Sequence, residues 1–245
     1  MTPFFRLDAP DLSPLAEALG IALAIRGTAF HHRITMAEPE LTIRAGDEEI
    51  LSDGLLMLDR IEALHPDQPL YPRDPDRLLR LRADMALLAQ ALARLDRVTR
   101  ARDPQDLDLA VHGLRQTLRL VQAQDEVIPL RARLTGADPL LAPLVWRLLI
   151  LDAAFGLHLA IGFDTLVSRG RWLLARPEVA EVLTPARAAR LLHAVARSGA
   201  AVAAVRPDWS GALGPEAGRR SFPPEAEERK FHPLAARLRS ISDHR

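Results

Sequence analysis

The sequence predicts an α+β protein in which a small unit of strands and two short helices precedes an all-helical region. Three observations carry that class. Before residue 72, strand-like runs alternate with two capped helical segments in the order βαβ, then ββα. After the turn-rich stretch HPDQPLYPRDP, strand signals stop and long helical periodicity takes over. The chain has 245 residues and 48% hydrophobic content, enough for a substantial core.

Residues 3–7 suit a strand, and residues 8–12 have loop chemistry around a proline. An amphipathic helix follows in LSPLAEALGIALAIRG, with Ser13 as N-cap, Pro14 in the first helical position and Gly27 as the stop. Leu15, Leu19, Ala22 and Leu23 supply its three-to-four spacing. Residues 28–36 read as a second strand, 41–44 as a third, and 49–51 as a fourth after the Ala45-Gly46-Asp47 turn. Asp53 then caps a helix through residue 64. Beyond residue 72, residues 76–100 place Leu78, Leu81, Met85, Leu88, Leu92 and Leu95 on one stripe, and 106–124 repeat the device. Further helices are expected at 139–150, 151–162, 163–175 and 186–204. Residues 135–138, Thr-Gly-Ala-Asp, fit a capping box, or Asp138 itself fits the cap with Pro139 first in the helix. The expected divisions are 1–72, 73–206 and a Pro/Gly/charge-rich extension at 207–245 with a short helix near 234–241.

Composition removes several function classes. Thirty-two basic residues balance thirty-two acidic ones, so no net field draws the chain to nucleic acid or an anionic membrane. Cysteine is absent, which excludes disulfides, thiolate metal sites and a cysteine nucleophile. The opening residues MTPFFRLDAP do not form a secretory signal, and a cytoplasmic location is expected. The apolar stretch 140–163 is interrupted by Arg147, Asp152 and His158, and a central charge costs roughly 2.5–3.5 kcal/mol in a bilayer. It reads as buried helix. His31 and His32 alternate across a strand and cannot hold one metal together, so no metal is expected. Trp146 and Trp172 lie in apolar company and read as core. There is no Gly-rich phosphate loop.

Four stretches together resemble the cytosolic glutathione S-transferase family over about residues 1–185. SPLAEALGIALAIRG is similar to that family's first helix, and DGLLMLDRIEALHPDQPLYPRDPDRLLRLR to its passage from the glutathione-contacting helix into the helical domain. LTGADPLLAPLVWRLLILDAAFG resembles its capped central helix, and RGRWLLARPEVAEVL its late helix ending in an Arg-Pro turn. The resemblance implies a thioredoxin-like domain that binds glutathione as co-substrate, a helical domain that receives an electrophile, and a homodimer. It implies Ser13 as the catalytic hydroxyl donating to the glutathione sulfur, because the only tyrosine, Tyr71, lies in the linker. By residue pattern alone the helix-cap reading of Ser13 comes ahead of the catalytic one.

The same resemblance points to Asp53 for the γ-glutamyl amine, with Gly54 where the family has a serine. It points to Pro39 or Leu41 at the family's cis-proline position, beside the cysteinyl part of glutathione. Between residues 36 and 41 only AEPE stands where the family has a helix and a loop, so the glutathione-binding region is shortened. Two functions follow as expectations. One is a transferase, ancestrally conjugating glutathione to small apolar electrophiles, with weak or lost activity; the other is a non-catalytic interaction protein of the same fold.

Overall fold

The computed structural model describes residues 4–44, 48–124 and 133–205. Strand β1 (Phe4–Ala9) pairs in parallel with β2 (Phe30–Ile34), with Phe5 opposite Phe30 and Ala9 opposite Ile34. Parallel neighbours need a crossover, and helix α1 (Pro14–Ala24) supplies it. On its other side β1 pairs antiparallel with β3 (Glu40–Arg44), which pairs antiparallel with β4 (Glu48–Leu51), giving the sheet order β2-β1-β3-β4. Phe5, Leu7, Leu41 and Ile43 meet across the β1–β3 ladder and are buried. Helix α2 (Gly54–Ala63) completes the βαβ–ββα order.

The connection to the helical part is fixed by one carboxylate. Glu62 Oε1 accepts the backbone N–H groups of Leu70 and Tyr71, each at 2.9 Å, while its other oxygen pairs with Arg26. The helices that follow are α3 (Pro75–Arg100), α4 (Pro104–Gln122), α5 (Asp138–Phe155), α6 (Asp164–Leu174), α7 (Pro177–Ala180), α8 (Pro185–Arg197) and α9 (Ala201–Val205). Asp74, Asp103 and Thr184 cap α3, α4 and α8, each followed by a proline in the first turn.

Several sequence expectations change. Helix α1 is not amphipathic: residues 16–23 are all buried, because α1 packs against both α2 and α5. The expected break at 150–151 is absent, and α5 runs to residue 155, where Gly156 stops it at φ 66°. No helix covers 156–162. That loop is instead pinned by Asp152, whose two oxygens accept the N–H groups of Leu159 and Ala160 at 2.6 and 2.8 Å. The expected helix at 186–204 is two, separated at Gly199 with φ 70°. At the start of α5, Asp138 Oδ2 accepts the Thr135 N–H at 2.7 Å, which is half of a capping box. The Ala45-Gly46-Asp47 turn, the 207–245 extension and its short helix lie outside the described residues. Among the described residues no helix is long and apolar enough to cross a membrane.

Candidate functional site

A cleft of about 910 Å³ opens between the sheet unit and the helical part. One wall is the N-terminus of α1, the N-terminus of α2 and residues 36–39; the other is α3, α5 and α8. No helix stands between β2 and β3. The five residues 35–39 make that turn as irregular chain, and Met36, Ala37, Glu38 and Pro39 take the place of a helical wall.

Ser13 lies on the rim of this cleft because the Pro10 to Pro14 segment turns the chain from β1 into α1. Its Oγ accepts the Ala16 N–H at 3.3 Å. A cap only accepts, so the hydroxyl proton remains available. Among the described residues two other hydroxyls line the cleft, and both have donated. Thr99 Oγ1 donates to the Asp96 carbonyl at 2.7 Å, and Ser198 Oγ donates to the Val195 carbonyl at 2.7 Å. Tyr71 is elsewhere, packed under Gly136, and burial raises its phenol above the usual value.

Asp53 caps α2, with Oδ1 accepting the N–H groups of Leu55 and Leu56 at 3.0 Å each, and the residue is exposed at the cleft. Gly54 is next to it, and the structure gives its glycine a local reason. A Cβ there would lie 2.7 Å from both methyl carbons of Leu15. Of the residues singled out by resemblance, Ser13, Asp53, Gly54 and Pro39 therefore share the cleft. Leu41 does not: it is fully buried in β3 opposite Leu7. The peptide bond before Pro39 is not cis, nor is any other among the described residues. His31 is exposed and His32 half-buried, as their alternation on β2 requires. Among the described residues no group of three histidines or carboxylates is placed to hold a metal.

Sequence reasoning missed the charged seam behind the cleft. Arg147, on α5, has its side chain 5% exposed and meets Glu17 of α1, which is fully buried. Arg147 Nε and Nη2 donate to the two Glu17 oxygens at 2.9 Å each, and Nη2 also donates to the Leu12 carbonyl at 2.7 Å. Arg187 of α8 donates to the Asp11 carbonyl at 2.6 Å, and Arg190 Nε to Asp11 Oδ2 at 2.9 Å. Three arginines of the helical part thus hold the segment that carries Ser13. The available signal was Glu17 within an apolar helix and Arg147 within another, since a buried charge requires a partner.

No family model matches the sequence, and no curated protein matches it either. Solved structures do match by shape. A glutathione S-transferase from Methylobacterium radiotolerans, in complex with glutathione sulfonate, aligns with a TM-score of 0.60 at 22% identity, over 73% of this chain and 94% of that one. The Tau class glutathione S-transferase of mango aligns at 0.65 and 14% identity, over 78% and 98%. A maleylacetoacetate isomerase from Anaeromyxobacter dehalogenans, with glutathione bound in its active site, aligns at 0.60 and 18% identity, over 74% and 95%. The order of elements, the four-stranded mixed sheet and these matches together give the chain the fold of the glutathione S-transferases, a thioredoxin-like domain followed by a helical one.

Proposed function

We propose that the cleft binds glutathione and that the chain is a weak glutathione transferase acting on small apolar electrophiles. The observation that carries this reading is Ser13: among the cleft hydroxyls it alone has no described acceptor for its proton, and it sits at a helix N-terminus. A thiol near 8.5 must lose its proton to become a nucleophile. A donated O–H together with the positive end of α1 favours the thiolate. Asp53 keeps one carboxylate oxygen for the γ-glutamyl amine, and Ala89, Leu92, Ala93, Leu140, Leu191 and Val195 offer an apolar surface to the electrophile.

The same geometry argues for weak binding. Residues 36–39 replace a helical wall, and Leu15 fills the space beside Gly54 where a second polar group would stand. Each missing contact lowers the surplus left after a flexible peptide is ordered. Those two features also favour the second reading, a non-catalytic interaction protein. In both readings we place the chain in the cytoplasm as a homodimer, with the domain division at residue 72. Calorimetric titration of the full chain with reduced glutathione tests the choice. A dissociation constant of roughly 1 mM, about −4 kcal/mol, is expected. No heat of binding up to tens of millimolar selects the interaction protein.

A further inference from the structure

Arg147 has a donor that its own ion pair does not use. Nε and Nη2 are held by Glu17 and by the Leu12 carbonyl. Nη1 has no partner among the described residues and is not one of the atoms sealed from solvent. Arg147 lines the cleft, and Nη1 is its one guanidinium nitrogen without a partner among the described residues. Leu140 and Arg147 are seven residues apart, two turns of α5, which puts the apolar lining and the guanidinium on one face.

The neighbouring charges are largely spoken for by one another. Glu17 faces two arginines, Arg147 and Arg187, whose Nε lies 3.6 Å from Glu17 Oε1. Asp11 is shared by Arg187 and Arg190. Three guanidinium groups meet two carboxylates at the seam, but Arg190 is half-exposed and screened by solvent, so the donor that matters for the cleft is that of Arg147 itself. Glu38 and Asp53 are also in the lining, but both are exposed and screened by solvent. Arg100 is a different case: its side chain is largely exposed and it pairs with Asp96 at 2.9 Å on its own helix.

We propose that the cleft receives a second ligand with an apolar body and a carboxylate end, the body lying along α3, α5 and α8 and the carboxylate accepting from Nη1 of Arg147. The role of that ligand as the acceptor of the glutathione thiolate rests on the function proposed above; its recognition does not. The ligand class is therefore narrower than apolar electrophiles in general.

The test needs no glutathione. The full chain is titrated by calorimetry with 4-phenylbutanoate and with its neutral analogue 4-phenylbutanamide. At least tenfold tighter binding of the carboxylate is expected. In the double variant Arg147→Met with Glu17→Gln, which removes both charges of the pair and leaves neither orphaned, the two probes should bind alike and the amide as in the unmodified chain. Circular dichroism melting reports whether that variant folds. Independently of any variant, a crystal structure of the unmodified chain with 4-phenylbutanoate should place the carboxylate within hydrogen-bond distance of Nη1. Equal or weaker binding of the carboxylate, binding of neither probe, a preference that survives in the folded double variant, or a carboxylate seated at Arg100 each overturns the proposal. A chain that prefers the carboxylate but ignores glutathione keeps this inference and loses the transferase reading. The reverse result loses this inference alone.

Discussion

At the scale of single residues, capping and chemistry at Ser13 are separable, because one uses a lone pair of the hydroxyl and the other its proton. Ser13→Ala should lower the conjugation rate at least tenfold, about 1.4 kcal/mol of barrier. Its stability should fall by only about 1 kcal/mol, the usual loss of a cap. Unchanged turnover in the folded variant would remove Ser13 from the chemistry. Gly54 gives a second residue-scale prediction. A serine there looks like a simple restoration of a missing hydroxyl, but its Cβ meets the Leu15 methyls at 2.7 Å. Because those methyls end a half-buried side chain, Gly54→Ser alone should cost less than about 1 kcal/mol, with the serine hydroxyl crowded by Leu15 and no gain in glutathione affinity. Paired with Leu15→Ala, it should bind glutathione more tightly than Leu15→Ala alone. Improved affinity in the single variant would show that Leu15 moves aside freely.

Helices α5 and α6 show at the scale of elements how close approach overrides propensity. Gly170 lies within α6, where alanine normally stabilises a helix by up to about 1 kcal/mol. Here its Cβ would lie 2.4 to 2.5 Å from Val145 Cβ and both Val145 methyls, all on α5. Gly170→Ala should instead lower the midpoint of thermal unfolding, by an amount matching about 2 kcal/mol, and Val145→Gly in the same chain should recover more of it than Val145→Ala, which keeps the Cβ at 2.4 Å. A stabilising Gly170→Ala would mean that the helices are not in contact there. The same pair is joined by Asp138 and Arg169, with Arg169 Nη2 donating to Asp138 Oδ2 at 2.6 Å while its guanidinium lies 4.1 Å over the Trp172 ring. Trp172 is thus a partly buried platform for arginines, with Arg176 also 5.3 Å from its ring.

Across the whole molecule, the seam between the sheet unit and the helical part carries an acid response. Burial and the neighbouring Arg187 hold the His32 imidazole below its ordinary 6.5. The unfolded chain therefore binds that proton first, so stability is present above pH 6.5 and is lost as pH falls below it. His193 shifts the same way, through burial and Arg197. Melting temperature should decline as pH drops below about 6.5, and His32→Asn should make that decline shallower. An identical slope in the variant would assign the response to other groups. Assembly is argued from the exposed apolar residues Leu79 of α3 and Leu109 and Leu120 of α4, on the helices expected to face a second copy. Light scattering should report about twice the 27.0 kDa chain mass. A monomer at tens of micromolar removes the dimer.

The sequence by itself determined the element order through α4, because caps, prolines and hydrophobic periodicity act over a few residues and are written locally. Ser13-Pro14, Asp53 and the leucine stripe of α3 needed nothing distant to be legible. It also showed the shortened stretch between β2 and β3. Tertiary structure alone decided what each side chain faces. It buried α1 on all sides, ran α5 through to Gly156, removed Leu41 from the cleft and set Leu15 over Gly54, since each outcome depends on an element far away in the chain. The Glu17–Arg147 pair spans 130 positions of sequence. No local pattern encodes such a pairing; only the closure of two domains on each other buries a carboxylate and a guanidinium as each other's partner.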